Sequence, residues 1–290
     1  MNLVVFLFLL SVLVVQSGSA ISEAISKSNL IQTNDRIVGG FETSIQENPW
    51  QISLRYFLSH RCGGSIIGES WILTAAHCTD GITAGPLSVR VGSTNLNSGG
   101  TIISVKRIHQ HEEYNARTLN NDFSLLELAE SLTYTDQIQP IALAAANTII
   151  KDGTMAMVSG WGATHTNESN EVLRAAFVPI VNRSQCRRAY GGGITFRMIC
   201  AGYEAGKKDS CQVRYNKKMN LPSVSTNVLF ILNKFKGDSG GPLTYQNVRK
   251  GERELIGVVS FGNGCAKAQY PGVYSRVPAV RQWIKNKSGI

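Results

Sequence analysis

The 290-residue chain has no Cys-x-x-Cys pair, no long basic run, no internal repeat and no low-complexity tract. Without a Cys-x-x-Cys, its six cysteines do not read as a zinc site, where thiolates cluster at such spacings. The formal charge is +9, but the lysines and arginines are scattered. That charge reads as a solvated basic surface, and neither nucleic acid nor membrane is expected as a partner. Past residue 20 no second apolar run approaches the ~20 residues that a membrane-spanning helix needs.

The one long apolar run lies at the start. It extends from Leu3 to Val15 and is followed by Gly18-Ser19-Ala20, small residues of the kind that signal peptidase accepts. Residues 1–20 therefore read as a secretory signal peptide, although no lysine or arginine precedes the apolar run. Residues 21–36 are polar, lack cysteine and end at Arg36, as an untethered propeptide would. A secreted, extracellular chain meets oxidising conditions, so the six cysteines are expected as three disulfides. Sequence alone does not choose their pairing.

The remainder reads as an all-β chain. Gln51-Ile52-Ser53-Leu54-Arg55 and Leu87-Ser88-Val89-Arg90-Val91 alternate with period two, as half-buried strands do. Glycines are frequent and prolines sit mostly at edges, a barrel-like pattern. Residues 278–287 read as a closing helix. Pro278 lies in its first turn, and Val280, Trp283 and Ile284 share one side expected to pack on the second half of the chain.

Three short stretches carry chemistry. Gly237-Asp238-Ser239-Gly240-Gly241-Pro242 alone could be a turn, since its residues are turn formers. Leu73-Thr74-Ala75-Ala76-His77-Cys78 and Asn121-Asp122-Phe123-Ser124-Leu125-Leu126 change that reading. Ser239 has an unactivated hydroxyl until a base takes its proton. An imidazole can take up a proton in this way, so His77 can be that base, and Asp122 can fix its tautomer.

These stretches, in the order His, Asp, Ser, resemble the trypsin-like serine proteases of the chymotrypsin fold, from Ile37 to the C-terminus. With six cysteines the chain most resembles invertebrate digestive trypsins. The resemblance implies two antiparallel Greek-key β-barrels, about 37–145 and 146–275, within a protease domain 37–290. The active site would lie in the cleft between them, with His77 and Asp122 from the first barrel and Ser239 from the second. It implies disulfides Cys62–Cys78, Cys186–Cys200 and Cys211–Cys265, and an oxyanion hole from the amides of Gly237 and Ser239. Arg36-Ile37-Val38-Gly39-Gly40 resembles a zymogen activation site, where cleavage frees the Ile37 amine to pair with Asp238. Lys207-Lys208-Asp209-Ser210-Cys211-Gln212 resembles the pocket floor, and Ser260-Phe261-Gly262 and Tyr270-Pro271-Gly272 its walls. Asp209 would then select Arg or Lys, with Ser210, Ser260, Gly262 and Gly272 keeping the slot open. Expected partners are protein or peptide substrates and proteinaceous inhibitors, for a monomer without a cofactor. The calcium site of some members does not carry over, because Gly92–Thr101 holds no acid.

One departure is large. In the family Gln212 runs directly into the glycine before Asp-Ser-Gly-Gly-Pro, but here 24 residues, 213–236, intervene. They hold Arg214, Lys217, Lys218, Lys234 and Lys236, no acid, and the apolar run Val228–Leu232. Thirteen of the 24 are Phe, Tyr, Met, Ile, Asn or Lys, the AT-rich codon set, and valine and lysine codons at the ends fit GT…AG boundaries. The stretch reads as a translated, unspliced intron, with a genuine surface loop as the alternative. A catalytically silent homologue that acts by binding is the rival function it raises.

His109 and His111 could form a metal pair, but with no further ligand cluster they read as residues of a surface strand. His60 and His165 read as structural or exposed. Asn167, Asn182 and Asn286 begin glycosylation sequons, a tripeptide common by chance.

Overall fold

A strand with one apolar face must bury it, and a sheet that closes on itself does so without leaving edges. The computed structural model describes residues 40–162, 171–203, 238–263 and 269–290. The chain enters through a short strand, β1 (Phe41–Glu42). It then forms β2 (Gln51–Tyr56), β3 (Ser59–Gly68), β4 (Trp71–Thr74), β5 (Leu87–Val91), β6 (Thr101–Gln110) and β7 (Ser124–Leu128). These six close into an antiparallel barrel in the order β2-β3-β4-β7-β6-β5. After β8 (Ala142–Leu143) come β9 (Met155–Gly160), β10 (Arg174–Val181), β11 (Met198–Ala201), β12 (Pro242–Asn247), β13 (Glu252–Phe261) and β14 (Gly272–Arg276). They close into a second barrel, β9-β10-β11-β14-β13-β12, through the β9–β10 pairing. Helix α1 (Arg183–Ala189) follows β10, and α2 (Arg281–Ser288) ends the chain.

The two barrels are strapped together from both sides. β1 pairs antiparallel with β10, and β8 pairs parallel with β13, so chain on either side of the first barrel hydrogen-bonds to the second. Two of the expected disulfides are present, Cys62–Cys78 and Cys186–Cys200. Each closes a short loop, which in the chain-entropy model stabilises by about 3 kcal/mol. Cys211 and Cys265 lie outside the described residues.

Alternation in β2 and β5 was expected to leave one face in water. Instead both strands are buried on both faces. Ile52, Leu54, Leu87, Val89 and Val91 fill the first barrel. The polar residues between them meet protein: Gln51 Oε1 accepts from Ser159 Oγ at 2.8 Å, and Arg55 and Arg90 donate to loop carbonyls of Leu96 and Asn97. Packing of the second barrel and of loop 92–100 converts a solvent face into an interior one.

The C-terminal helix meets both barrels. Val280 and Ile284 join a core cluster that contains Ile66 and Leu126 of the first barrel and Leu255 and Val258 of the second. Trp283 packs against this cluster, and its indole N–H donates to Glu112 Oε2 at 2.8 Å, while Lys287 Nζ lies 2.5 Å from Glu112 Oε1. Trp283 also covers the His111 ring, 4.8 Å away, so His111 is 8% exposed rather than a surface residue. Burying a residue such as Ile284 stabilises by about 1.5–3 kcal/mol. An exposed ion pair contributes about 0–1 kcal/mol, so apolar contact anchors the helix and Glu112 sets its pH dependence.

The Lys287 ammonium, a backbone N–H and the Trp283 indole hold the Glu112 carboxyl at about 2, below its ordinary 4.5. A carboxyl depressed on folding stabilises above its unfolded value, and that contribution is lost as pH falls from about 4.5 toward 2. The Tm difference between the parent and Glu112→Gln is therefore predicted to shrink across that window. A difference that stays constant from pH 5 to pH 2 (roughly the span that linkage specifies) removes Glu112 as the acid-sensitive clamp.

Candidate active site

β4 delivers Thr74, and a 3-10 turn, Ala76–Cys78, then presents His77. The Cys62–Cys78 disulfide fastens that turn to β3. Asp122 arrives from the other side, in the loop just before β7, and is fully buried. Its Oδ1 accepts the His77 backbone N–H at 2.8 Å, and its Oδ2 lies 2.7 Å from His77 Nδ1. The Ser260 hydroxyl donates to the same Oδ2. Three donors thus converge on one carboxylate. A proton held at Nδ1 by Asp122 leaves the basic lone pair of the imidazole on Nε2.

Ser239 sits in a turn that two barrels share. Its carbonyl accepts the Gly63 N–H of β3 at 2.8 Å, while Gly240 N–H donates to Val259 O of β13, also at 2.8 Å. Gly240 has φ +80°, and a Cβ there would stand 2.2 Å from Thr74 Oγ1 and 2.7 Å from Gly63 O. Only glycine fits that position on both counts. The serine is thereby pressed against the strand that leads to His77, and its backbone position is set from two sides.

Asp238 is 4% exposed, and its Oδ1 accepts the Gly162 N–H at 2.7 Å. A Cβ on Gly160 or Gly162 would collide with this carboxylate, so the two glycines form a cradle around it. Ser260 lies at the end of β13 and is 1% exposed. The Phe261↔Val273 pairing of β13 with β14 sets Gly262 and Gly272 beside one another on facing chains. The structure thus brings His77, Asp122, Ser239, Asp238, Ser260, Gly262 and Gly272 to one region. Arg36, Ile37, Asp209, Ser210 and Gly237 lie outside the described residues, as do residues 213–236.

Among the described residues neither candidate cluster suits a metal. Cys62, His77 and Cys78 are close enough to suggest a ligand cluster, but both cysteines are spent in the disulfide and offer no thiolate. Loop 92–100 carries its own cation: the Arg90 guanidinium donates to the carbonyls of Asn97 and Gly99, and Ser93 Oγ donates to Asn95 O and Ser98 O. Carbonyls already turned onto a guanidinium, with no carboxylate among them, do not fit calcium. His60 Nδ1 lies 2.8 Å from Ser53 Oγ, a structural placement. His109 faces Glu127 at 3.6 Å.

Sequence reading assigned Ser260 to the pocket wall and missed its bond to Asp122. It also missed Thr74 and Gly63, which shape the Ser239 turn. The glycine pair Gly63-Gly64 was the available signal, since paired glycines inside a strand mark a close backbone approach.

A buried acid that orients a histidine, beside a serine held in a glycine-lined turn between two six-stranded barrels, defines a serine hydrolase of the two-barrel class. The Trypsin family model matches residues 37–213 and 215–284. The chain is 45% identical over 267 residues to Trypsin 5G1 of Aedes aegypti, covering 90% of this chain and 88% of that protein. It is 40% identical over 285 residues to Trypsin delta of Drosophila erecta, covering 96% and 97%. It is 42% identical over 277 residues to Trypsin alpha-4 of Lucilia cuprina, covering 94% and 95%. The protein belongs to the trypsin family and is a trypsin-like serine protease that acts on protein substrates.

Proposed function

We propose that the protein is a secreted endopeptidase, made as a zymogen, that cleaves peptide bonds after arginine or lysine through an acyl-enzyme. His77 Nε2 takes the Ser239 hydroxyl proton as Oγ attacks the carbonyl, and returns it to the leaving amine. Asp122 keeps the imidazole in the productive tautomer and stabilises the imidazolium. The amides of Gly237 and Ser239 receive the oxyanion. Asp209 at the pocket base pairs with the substrate cation, and Ser210, Ser260, Gly262 and Gly272 line the slot. Cleavage after Arg36 frees the Ile37 ammonium, which pairs with Asp238. The ammonium brings an opposite charge to this buried carboxylate only in the cleaved chain, so the new amine acts as the switch. Proteinaceous inhibitors that present an arginine or lysine to the same slot are expected partners of the monomer.

The observation that carries this reading is the double grip of Asp122 on His77, 2.8 Å to the backbone and 2.7 Å to Nδ1. The stretch 213–236 favours a second reading, a silent homologue that binds without cutting. Cut sites mapped on a denatured protein by the activated enzyme separate the two. Cuts confined to bonds after Arg and Lys, lost in Asp209→Ser, support the protease. Absent cleavage, together with no organophosphate label on Ser239, leaves the silent homologue standing.

A further inference from the structure

The residue just before the orienting acid has an unusual backbone. Asn121 is 3% exposed and has φ +53°, in the left-handed region that a non-glycine side chain enters only when something holds it there. Its own side chain does part of this: Nδ2 donates to Glu113 O at 3.1 Å and to Glu113 Oε2 at 3.4 Å. The rest comes from the second barrel. Arg197, just before β11, donates from Nη1 to Asn121 Oδ1 and pairs through Nη2 with Glu113 Oε2 at 3.3 Å. Two residues earlier, Thr195 Oγ1 donates to Asn120 Oδ1 at 2.8 Å and accepts the Arg197 N–H at 3.2 Å. The Arg197 carbonyl in turn accepts the Arg276 N–H of β14. Both asparagines that precede Asp122 are therefore gripped by one segment of the opposite barrel.

We infer that Arg197, assisted by Thr195, is a positioning residue for Asp122: it locks the 113–121 loop so that the carboxylate keeps its contacts with His77. This rests on the protease reading of His77 and Asp122. The geometry favours arginine, because one planar guanidinium reaches an amide oxygen and a carboxylate at once, and an ammonium on the same stem reaches one of them. The lock acts at the peptide bond joining Asn121 to Asp122. Releasing Asn121 from φ +53° rotates the attachment of the acid itself. Displacing a catalytic group by a fraction of its hydrogen-bond length lowers turnover without changing the substrate pocket.

The test reads the proton between His77 and Asp122 directly, in the full-length protein, by its downfield NMR resonance. That readout needs no turnover, so a failure of the activity reading does not obscure it. In Arg197→Met the resonance is expected to broaden or vanish. In Arg197→Lys, which keeps one of the two contacts, it persists. In the activated enzyme kcat falls about 10-fold in Arg197→Met, with KM within about twofold. Thr195→Val removes one neutral hydrogen bond with little change in shape, and weakens the same resonance if Arg197→Met does not fold. An unchanged resonance in Arg197→Met, or in Thr195→Val where that variant stands in, overturns the inference, even if Tm falls.

Discussion

Removing residues 213–236 is expected to raise turnover of an arginyl amide substrate by the activated protein about 100-fold or more. The stretch joins Gln212, next in sequence to the expected pocket floor, to Gly237, the expected first oxyanion donor. Loop closure is not the obstacle. Tethering 24 extra residues costs about 3 kcal/mol beyond a constant, within what a fold of this size tolerates. Placement is the obstacle. A catalytic donor must hold to within about 0.5 Å, and losing one oxyanion donor costs about 100–1000-fold in turnover. In the uninterrupted family pattern Gly237 would follow Gln212 directly, between the expected pocket floor and the Ser239 turn. Here only the Ser239 side joins it directly. The assay compares both forms after cleavage at Arg36, with active sites counted by an organophosphate label. Equal kcat per labelled site would show that the stretch is a genuine loop compatible with catalysis.

The second large effect is expected at Asp122. Asp122→Asn should lower kcat by about 10,000-fold near neutral pH, the magnitude known for the template triad of this class. The site explains why a nearly isosteric change is so damaging. The His77 backbone N–H, the His77 ring and the Ser260 hydroxyl all point at the carboxylate. An amide has one acceptor oxygen and one donor nitrogen, so it cannot receive all three. The cheapest relief is to turn an N–H toward His77 Nδ1, which moves the ring proton to Nε2 and removes the base. Because Asp122 is fully buried, water does not restore the missing acceptor. The fold should survive, since both straps between the barrels and both described disulfides are untouched. A kcat within tenfold of the parent, with Ser239 still labelled at the parental rate, would remove Asp122 from this role.

The candidate site was legible because each side chain proposed to react sits inside a contiguous signature. Ser239 needs glycine at the next position, since Gly240 takes φ +80° against Thr74. His77 needs the small alanines and the cysteine that fix its 3-10 turn. Such requirements act between neighbours, so they are written in adjacent letters. The same holds for alternation in β2 and β5, which named their barrel-facing residues correctly.

Alternation could not say what covers the other face. Gln51 and Arg55 look like solvent-facing residues, and their burial depends on partners 108 and 41 positions along the chain, in the second barrel and in loop 92–100. Helix α2 shows the same limit, because an amphipathic helix specifies that it will dock and not where; Glu112 and a core cluster shared by both barrels chose the place. Ser260 reaches Asp122 across 138 positions, Thr195 reaches Asn120 across 75 and Arg197 reaches Asn121 across 76. By itself, then, the sequence determined the strand pattern and named the candidate nucleophile, base and acid. The tertiary structure decided which polar groups are dry, where the last helix rests and which residues hold Asp122 in place. The physical reason is that backbone conformation and alternation depend on near neighbours, whereas burial and long-range hydrogen bonds exist only once closed barrels have brought distant segments into register.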